Sequence, residues 1–382
     1  MSFRSTISYI LWPLTIWYGI GVRIRNGLFS LGLLKQQAPH ITTIGVGNLS
    51  TGGTGKTPHV EYLLRLFGDT YRVAMLSRGY KRKSKGFVVD DGSHDAALLG
   101  DEAAMIAQKF PNVQVAVCEK RVEGVQRLIA EPPKPEEADE ETQEAAAEVA
   151  SEAVDSPKLD MIVLDDVYQH RYIKPSINIL LTEYRHPYFK DHVLPFGNLR
   201  EPQSGCYRAN IVIVTKCPAR LNPIERHNIT HDLKLQNYQK VFFSYFVYKP
   251  LRTLDGYEAD IDLKRVDYAM VLTGIAHPEN LVEEVRRYCK VRHMGFADHH
   301  NYSARDMEQV RNVFNGLPGS RKIIITTEKD APRLMHLAGE LPIYVQPVEV
   351  AFHQNEDSNF DALIRSSVKE NISFLSKLSI WS

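Results

Sequence analysis

The chain has 382 residues, of which 43% are hydrophobic and 24% charged, and 46 basic residues balance 46 acidic ones. This length allows two domains with separate cores, and the balanced charge excludes the strongly basic surface typical of a nucleic-acid-binding protein. The four cysteines, Cys118, Cys206, Cys217 and Cys289, form no CxxC pair, which favours the reducing cytosol over a disulfide framework or a zinc site.

The chain begins with a charge-free, largely apolar stretch at residues 5–22, preceded by Arg4 and followed by Arg23 and Arg25. It is borderline in length for a bilayer crossing, which needs roughly 20 apolar residues, and no small-residue cleavage site follows it. Its aromatic side chains and flanking arginines favour a helix that lies in the plane of a membrane surface. We therefore predict a membrane-associated segment at residues 1–34; a helix buried against the domain is the alternative.

A glycine-rich loop lies between a predicted strand at 41–45 and a predicted helix at 57–67. Small residues let successive backbone N–H groups face phosphate oxygens, while the lysine supplies charge and the threonine a hydroxyl for Mg²⁺. The usual first glycine is a serine here, but the flanking strand and helix are those of a phosphate-binding loop. The predicted nucleotide-binding residues are Ser50, Thr51, Gly52, Gly53, Thr54, Gly55, Lys56 and Thr57.

Strands and helices alternate through the rest of the chain. Strands are predicted at 72–76, 113–117, 161–164, within 177–203, and at 211–215, 241–246, 268–273, 322–327 and 343–350, and helices at 101–109, 121–130, 278–288 and 304–314. This pattern predicts an α/β protein with a P-loop NTPase-like, doubly wound, mostly parallel sheet and a second, smaller α/β lobe. The predicted P-loop kinase domain is 35–205, the second lobe is 206–350, and a C-terminal segment, 351–382, can return to pack on the first lobe.

Residues 131–157 interrupt the alternation with ten acidic residues, a single lysine and no aromatic residue. Such a composition cannot bury enough apolar area to offset its ordering entropy. It predicts a disordered or loosely helical surface insertion without a catalytic role.

Three groups of polar residues are candidates for chemistry. Asp165 and Asp166 follow a predicted strand, where a P-loop enzyme holds Mg²⁺ directly or through water; a solvated turn is the alternative. Asp101 opens a predicted helix either as its cap or as a base for an incoming hydroxyl. The histidine cluster at 292–302, which includes His299, is either a weak metal signal or part of a proton relay.

The loop alone leaves the reaction open. The N-K-x-D guanine reader of GTPases is missing at 215–218 and at 327–330, and Thr51 stands where partitioning ATPases carry an additional lysine. A nucleotide-hydrolysing switch and a non-catalytic membrane scaffold remain as alternatives to a kinase.

Seven motifs that follow one another in a fixed order resemble the tetraacyldisaccharide 4′-kinase family. They are 47–58 (GNLSTGGTGKTP), 77–80 (SRGY), 100–102 (GDE), 164–170 (LDDVYQH), 194–202 (LPFGNLREP), 296–300 (FADHH) and 326–330 (TTEKD). The serine at the first loop position also matches the family. The acidic insertion departs from the pattern, and so does His300, where a tyrosine is commoner.

The resemblance implies an enzyme that moves the γ-phosphate of ATP to the 4′-hydroxyl of a tetraacylated glucosamine disaccharide 1-phosphate, giving lipid IVA in lipid A biosynthesis. It implies ATP and Mg²⁺, a lipid substrate and the cytoplasmic face of the bacterial inner membrane. Neither a nucleic acid nor an obligate protein partner is expected.

The resemblance also implies roles for individual residues. Asp101 and His299, from opposite lobes, would form a dyad that takes the proton of the sugar hydroxyl, and Lys56 would bridge the β- and γ-phosphates. Thr57, Asp165 and Glu102 would hold Mg²⁺. The sugar headgroup would contact Asn48, Arg78, Asp166, Gln169, His170, Arg200 and Glu201, with Arg200 gripping the 1-phosphate.

Overall fold

The computed structural model describes residues 12–130, 159–353 and 359–378. The acidic insertion at 131–157 and the first part of the predicted membrane-associated segment lie outside the described residues.

The described residues form fourteen strands in two sheets. The strands are β1 (Thr42–Asn48), β2 (Val73–Ser77), β3 (Val88–Val89), β4 (Gln114–Val117), β5 (Met161–Asp165), β6 (Ile177–Glu183), β7 (Ile211–Thr215), β8 (Lys240–Tyr248), β9 (Arg252–Thr253), β10 (Tyr268–Thr273), β11 (Lys290–Gly295), β12 (Lys322–Thr327), β13 (Ile343–Gln346) and β14 (Val348–Phe352). The α-helices are α1 (Trp12–Ser30), α2 (Lys56–Phe67), α3 (Ala96–Leu99), α4 (Asp101–Lys109), α5 (Arg121–Ile129), α6 (Pro223–Asp232), α7 (Glu279–Arg286), α8 (Ala304–Asn315), α9 (Ala331–Leu334) and α10 (Phe360–Leu378).

The larger sheet has nine strands in the order β14-β8-β7-β6-β1-β5-β2-β4-β3, parallel except at its two edge strands. β1 lies at its centre and is buried along its whole length. α2, α4 and α10 cover one face of the sheet, and on the other face residues 167–175 cover β1 while α5 packs on β2. Strands covered on both faces read as continuous apolar runs, which is why they were recognisable in the sequence.

The smaller sheet has five strands in the order β11-β10-β12-β13-β9, and only β9 is antiparallel to its neighbour. α8 packs on one face through Met307 and Val310, and α7 packs on the other through Leu281 and Val285. The predicted α/β class, with a mostly parallel main sheet and a second, smaller sheet, is confirmed.

The division between the sheets differs from the predicted boundary at 205/206. β7 and β8 pair within the larger sheet, so the strands of the smaller sheet lie between Arg252 and Gln346. The predicted strand at 343–350 is two strands separated by Pro347, and the chain crosses there from the smaller sheet to the larger one. α10 follows and places Phe360 and Ile364 in the main core.

α1 runs along the larger lobe beside the strand ends. Its Phe29 is buried against Tyr172, and the Tyr18 hydroxyl donates to the carbonyl of Arg200 at 2.8 Å. Among the described helices, none combines the length and the hydropathy that a membrane crossing requires. The side of α1 away from the protein is apolar, with Trp17 73% exposed.

Candidate active site

A cleft of about 770 Å³ lies between the two sheets. Loops after β1, β2 and β5 of the larger sheet face loops after β10 and β12 of the smaller one across it. Ligands of open α/β sheets bind at the carboxyl ends of the strands, so the sequence motifs that follow these strands converge on one place.

The glycine-rich loop is held in a fixed shape by buried hydrogen bonds. Asn48, at the end of β1, donates its side-chain amide to the Thr54 hydroxyl at 2.9 Å, and the Thr215 hydroxyl donates to the Thr54 carbonyl at 2.9 Å. Gly55 precedes α2 with φ of 85°, a conformation that strains any residue with a Cβ. The loop therefore presents its backbone and the N-terminus of α2 to the cleft.

The motif at 194–202 braces the outer half of this loop. The amide of Thr51 donates to the carbonyl of Asn198 at 2.7 Å, and the amide of Arg200 donates to the carbonyl of Leu49 at 2.7 Å. Two motifs that lie about 150 residues apart in the chain thus form one short antiparallel ribbon at the cleft.

Lys56 points into the cleft from the first turn of α2. Its Nζ lies 3.5 Å from Asp166 Oδ1 and 3.5 Å from Asn48 Oδ1. Burial opposes the ionisation of Asp166, but Lys56 and Arg200 outweigh it and hold the pKa of this carboxyl below its ordinary value. Asp166 has a positive φ of 45°, a strained conformation of the kind found at functional sites.

Asp165, Glu102 and Thr57 converge beside Lys56. The Thr57 hydroxyl lies 3.4 Å from Glu102 Oε2. Asp165 is buried at the end of β5 with no hydrogen-bond partner for Oδ1, and burial, with Glu102 and Asp166 nearby, raises its pKa to about 7. Burial also opposes the ionisation of Glu102, but Lys329 and Lys56 outweigh it and lower the pKa of Glu102.

Asp101 is the first residue of α4 and not its cap. Gly100 holds the cap position with φ of 86°, and a Cβ there would come within 2.8 Å of the Tyr80 carbonyl oxygen. The carboxylate of Asp101 instead receives Arg333 from the smaller lobe, with Nε 3.1 Å and Nη2 2.5 Å from Oδ2.

His299 reaches the same place from the loop after β11, with a positive φ of 57°. Its Nε2 lies 2.9 Å from Lys329 Nζ, and its Nδ1 lies 3.4 Å from Arg333 Nη2. Burial and the Lys329 ammonium group lower the pKa of His299, so the neutral imidazole is favoured. The predicted partners Asp101 and His299 thus share Arg333 as a neighbour.

The predicted headgroup residues line the cleft near α1, except Asn48, which is fully buried beneath the nucleotide loop. Arg200 Nη1 lies 3.2 Å from both carboxylate oxygens of Asp166 and 3.3 Å from Gln169 Oε1. Burial, with Arg121 and Arg78 nearby, lowers the pKa of His170 to about 4. Arg78 is exposed at the mouth of the cleft.

Glu201 is placed differently from the other predicted headgroup residues. It is buried, and its two carboxylate oxygens accept hydrogen bonds from Arg208, Gln169 and Asn26. Because both oxygens of Glu201 already accept hydrogen bonds, this carboxylate is better suited to hold α1 against the site than to contact a ligand directly.

Known proteins match the chain over nearly its whole length. A family model described as tetraacyldisaccharide-1-P 4′-kinase, LpxK, matches residues 7–369. The chain is 40% identical over 370 residues to the tetraacyldisaccharide 4′-kinase of Phocaeicola vulgatus, covering 94% of this chain and 95% of that one. It is 42% identical over 365 residues to that of Flavobacterium johnsoniae, with 95% and 98% covered.

A solved structure agrees with these relatives. The crystal structure of LpxK from Aquifex aeolicus in complex with ATP has a TM-score of 0.65 and 28% identity, covering 95% of this chain and 99% of that one. The chain belongs to the tetraacyldisaccharide 4′-kinase family. The predicted family and the predicted kinase activity in lipid A biosynthesis are confirmed, and the switch and scaffold alternatives lose their support.

The other histidines of the 292–302 cluster do not face the cleft of this kinase fold. His293 lies 2.9 Å from the Thr273 hydroxyl, and His300 lies 3.1 Å from Asp306, which belongs to the capping box of α8. In the part of the chain that the structure describes, no group of three or more histidines, cysteines and carboxylates is arranged to hold a metal ion.

Sequence reasoning gave no role to Lys329 and Arg333, although Lys329 lies in one of the family motifs. Lys329 Nζ is 2.9 Å from Glu102 Oε1, and Arg333 contacts Asp101. One feature of the sequence could have indicated Lys329 and Arg333. They follow a predicted buried strand, and the predicted acids of the other lobe need cationic partners.

Proposed function

We propose that this cleft transfers the γ-phosphate of ATP to the 4′-hydroxyl of a tetraacylated glucosamine disaccharide 1-phosphate. The observation that carries the proposal is the convergence of the nucleotide loop with Asp101 and His299, which reach one cleft from different lobes. A phosphate donor on the larger sheet would thereby meet an acceptor hydroxyl between the lobes.

The nucleotide loop supplies the phosphate site. The Thr54 amide donates to the Gly52 carbonyl, but the other backbone N–H groups from Gly52 to Thr57 and the N-terminus of α2 suit the phosphate oxygens. Lys56 lies where it can bridge the β- and γ-phosphates. Because Asp166 already neutralises part of this charge, the lysine is held in place before ATP arrives.

The carboxylate of Asp101 is the base that we assign to the acceptor. The sugar oxygen forms its bond to the γ-phosphorus while the bond to the β–γ bridging oxygen breaks, and the proton of the hydroxyl passes to Asp101. His299, whose neutral form is favoured, acts as the partner of this carboxylate.

Thr57, Asp165 and Glu102 fit a magnesium ion. The carboxylate oxygen of Asp165 that lacks a partner is buried beside two other oxygen ligands, which is the donor set that Mg²⁺ prefers. When bound, the ion would neutralise charge on the phosphates.

The exposed apolar side of α1 supports attachment to a membrane surface. Trp17 and Ile24 of α1, and Leu31 and Leu33 just beyond its end, are all more than half exposed. The opposite side of the helix contacts Arg200 and other headgroup candidates. Acyl chains could remain in the cytoplasmic leaflet of the bacterial inner membrane while the sugar enters the cleft.

Radiolabelled ATP with the disaccharide 1-phosphate in mixed micelles tests the proposal. We expect label in a lipid product, and label in free phosphate alone would instead indicate a hydrolase. Asp101→Asn and His299→Ala should lower kcat severely while the affinity for ATP is retained. An equal loss of ATP affinity in both variants would contradict the assigned roles.

A further inference from the structure

We propose that Arg333 is a positioning residue that orients the carboxylate of Asp101 toward the acceptor hydroxyl. This inference rests on the proposed role of Asp101 as the base. Arg333 belongs to α9 in the smaller lobe, whereas Asp101 begins α4 in the larger one. The contact between them therefore depends on how the two lobes meet.

The geometry of the contact is directional. Arg333 brings Nε to 3.1 Å and Nη2 to 2.5 Å of the same carboxylate oxygen, Oδ2. Within the described residues, no hydrogen bond reaches Oδ1 of Asp101. Two donors on one oxygen hold that oxygen in place and leave the other oxygen available for a substrate proton.

Arg333 is itself held from behind. Its side chain is only 9% exposed, and Nη1 lies 3.6 Å from Oδ1 of the fully buried Asp330. The other oxygen of Asp330 accepts hydrogen bonds from the Gly274 amide at 3.0 Å and the Thr327 hydroxyl at 2.7 Å. The guanidinium is thus anchored on the ends of β10 and β12 before it reaches across the cleft.

An ion pair that only joined the two lobes would not need a buried arginine that is anchored on Asp330. Arg185 and Glu283 also join the lobes, at 2.7 Å, but both side chains are more than two-fifths exposed and lie away from Asp101. An exposed pair of this kind contributes little to stability. Arg333 differs because it ends on the proposed base and, at 3.4 Å, on His299 as well.

The test compares Arg333→Met with Arg333→Lys in the full-length protein. Misplacing a reacting group by about 1 Å can cost about 100-fold in rate, so we expect Arg333→Met to lower kcat by about 100-fold while KM for ATP stays unchanged. Arg333→Lys should restore little, because an ammonium group cannot make the two-donor contact. Arg321→Met removes an exposed arginine paired with Asp267 and serves as the matched control.

Two further measurements separate positioning from a structural role. Guanidinium ion added to Arg333→Ala should recover part of kcat, and an unfolded variant could not show such rescue. In the Asp101→Asn background, Arg333→Met should lower the residual rate no further, because Arg333 acts through Asp101. Absence of rescue together with an additive loss would overturn the inference. If Asp101→Asn alone remains active, the proposed base is wrong, and that outcome is distinct from the failure of Arg333.

Discussion

Lys56 carries the positive charge at the base of the nucleotide loop. Its Nζ contacts only side-chain oxygens of Asp166 and Asn48 within the described residues, at 3.5 Å each. We expect Lys56→Met to weaken ATP binding and to lower kcat by at least about 100-fold, as the loss of a preorganised electrostatic donor does. Calorimetric titration with a non-hydrolysable ATP analogue and a kcat measurement check this. Lys369→Met, on the exposed side of α10, is the control, and unchanged ATP affinity in Lys56→Met would contradict the assignment.

His59 couples the stability of the loop to pH. Its Nδ1 lies 2.7 Å from the Gly55 carbonyl oxygen and its Nε2 lies 2.9 Å from the Ser244 hydroxyl, and burial lowers its pKa from 6.5 to about 4. The unfolded chain therefore binds a proton in this pH range that the folded protein does not. The buried, neutral His59 therefore contributes to the free energy of unfolding. This contribution is fully present above pH 6.5, is lost as the pH falls toward 4, and amounts to at most about 3 kcal/mol.

We expect His59→Gln to flatten the dependence of Tm on pH across this range. Thermal unfolding in the presence of a chelator and without nucleotide measures it. His336→Gln, at an exposed position, should leave the dependence as it is in the parent protein. If both variants follow the parent curve, His59 does not titrate as its burial indicates.

Among individual residues, those of a contiguous motif could be predicted from their spacing, whereas contacts between the lobes could not. The residues from Gly52 to Thr57 are contiguous, so their spacing alone defines a phosphate loop. The contact between Asp101 and Arg333 joins residues 232 positions apart, and no periodicity encodes it. The family resemblance implies that Glu201 contacts the substrate, and the buried partners of its carboxylate become visible only in the fold.

Three elements meet at one partly buried cation. Lys109, at the end of α4, lies 2.6 Å from Glu61 of α2 and 2.9 Å from Glu328, which follows β12. Burial raises the pKa of Glu61, and Lys109 opposes this shift. Lys109→Met would leave two neighbouring carboxylates without their shared cation.

We expect this substitution to lower the free energy of unfolding by about 3 kcal/mol, because the buried carboxylate of Glu61 loses its closest cation and keeps only Arg65 at 3.5 Å. Urea denaturation measures the change. Arg72→Met breaks the exposed pair with Asp160 and should lower the free energy of unfolding much less. Equal losses in the two variants would show that the burial of Glu61 is not decisive.

Elements covered on both faces were predictable, and elements at an edge were not. The central strands are continuous apolar runs, whereas β11 at the edge of the smaller sheet contains Lys290, Arg292 and His293 and is missing from the predicted strands. The change of sheet at Pro347 was also missed, because an apolar run on both sides of a proline looks like one strand. β13 and β14 can be distinguished only by the strands with which they pair, β12 and β8 respectively.

On the scale of the whole molecule, the apolar side of α1 is expected to set membrane affinity. Trp17 and Ile24 are 73% and 59% exposed. Replacing both by serine should reduce binding to anionic phospholipid vesicles by at least about tenfold, because two large apolar groups no longer leave water. Vesicle flotation measures this, and Phe374→Ser, 59% exposed on α10, is the control. Undiminished flotation of the double variant would refute attachment through α1.

Removal of residues 348–382 should unfold the larger lobe and spare the smaller one. β14 pairs with β8, and α10 contributes Phe360, Ile364 and Val368 to the core that contains β1. The strands of the smaller sheet all lie before that cut. Hydrogen exchange should therefore show protection in β10 and β12 and its loss in β1; protection of both would contradict this division.

The return of β14 and α10 to the larger sheet has a consequence for synthesis. The strands of the smaller lobe leave the ribosome as one uninterrupted run from Arg252 to Gln346, so this lobe can fold while translation continues. The larger lobe contains the first strand made, β1, and the last, β14, and it cannot close until both exist. Its nucleotide loop is therefore made early and gains its complete core late. Throughout that interval the exposed apolar strands are the part of the chain most open to chaperones and to aggregation.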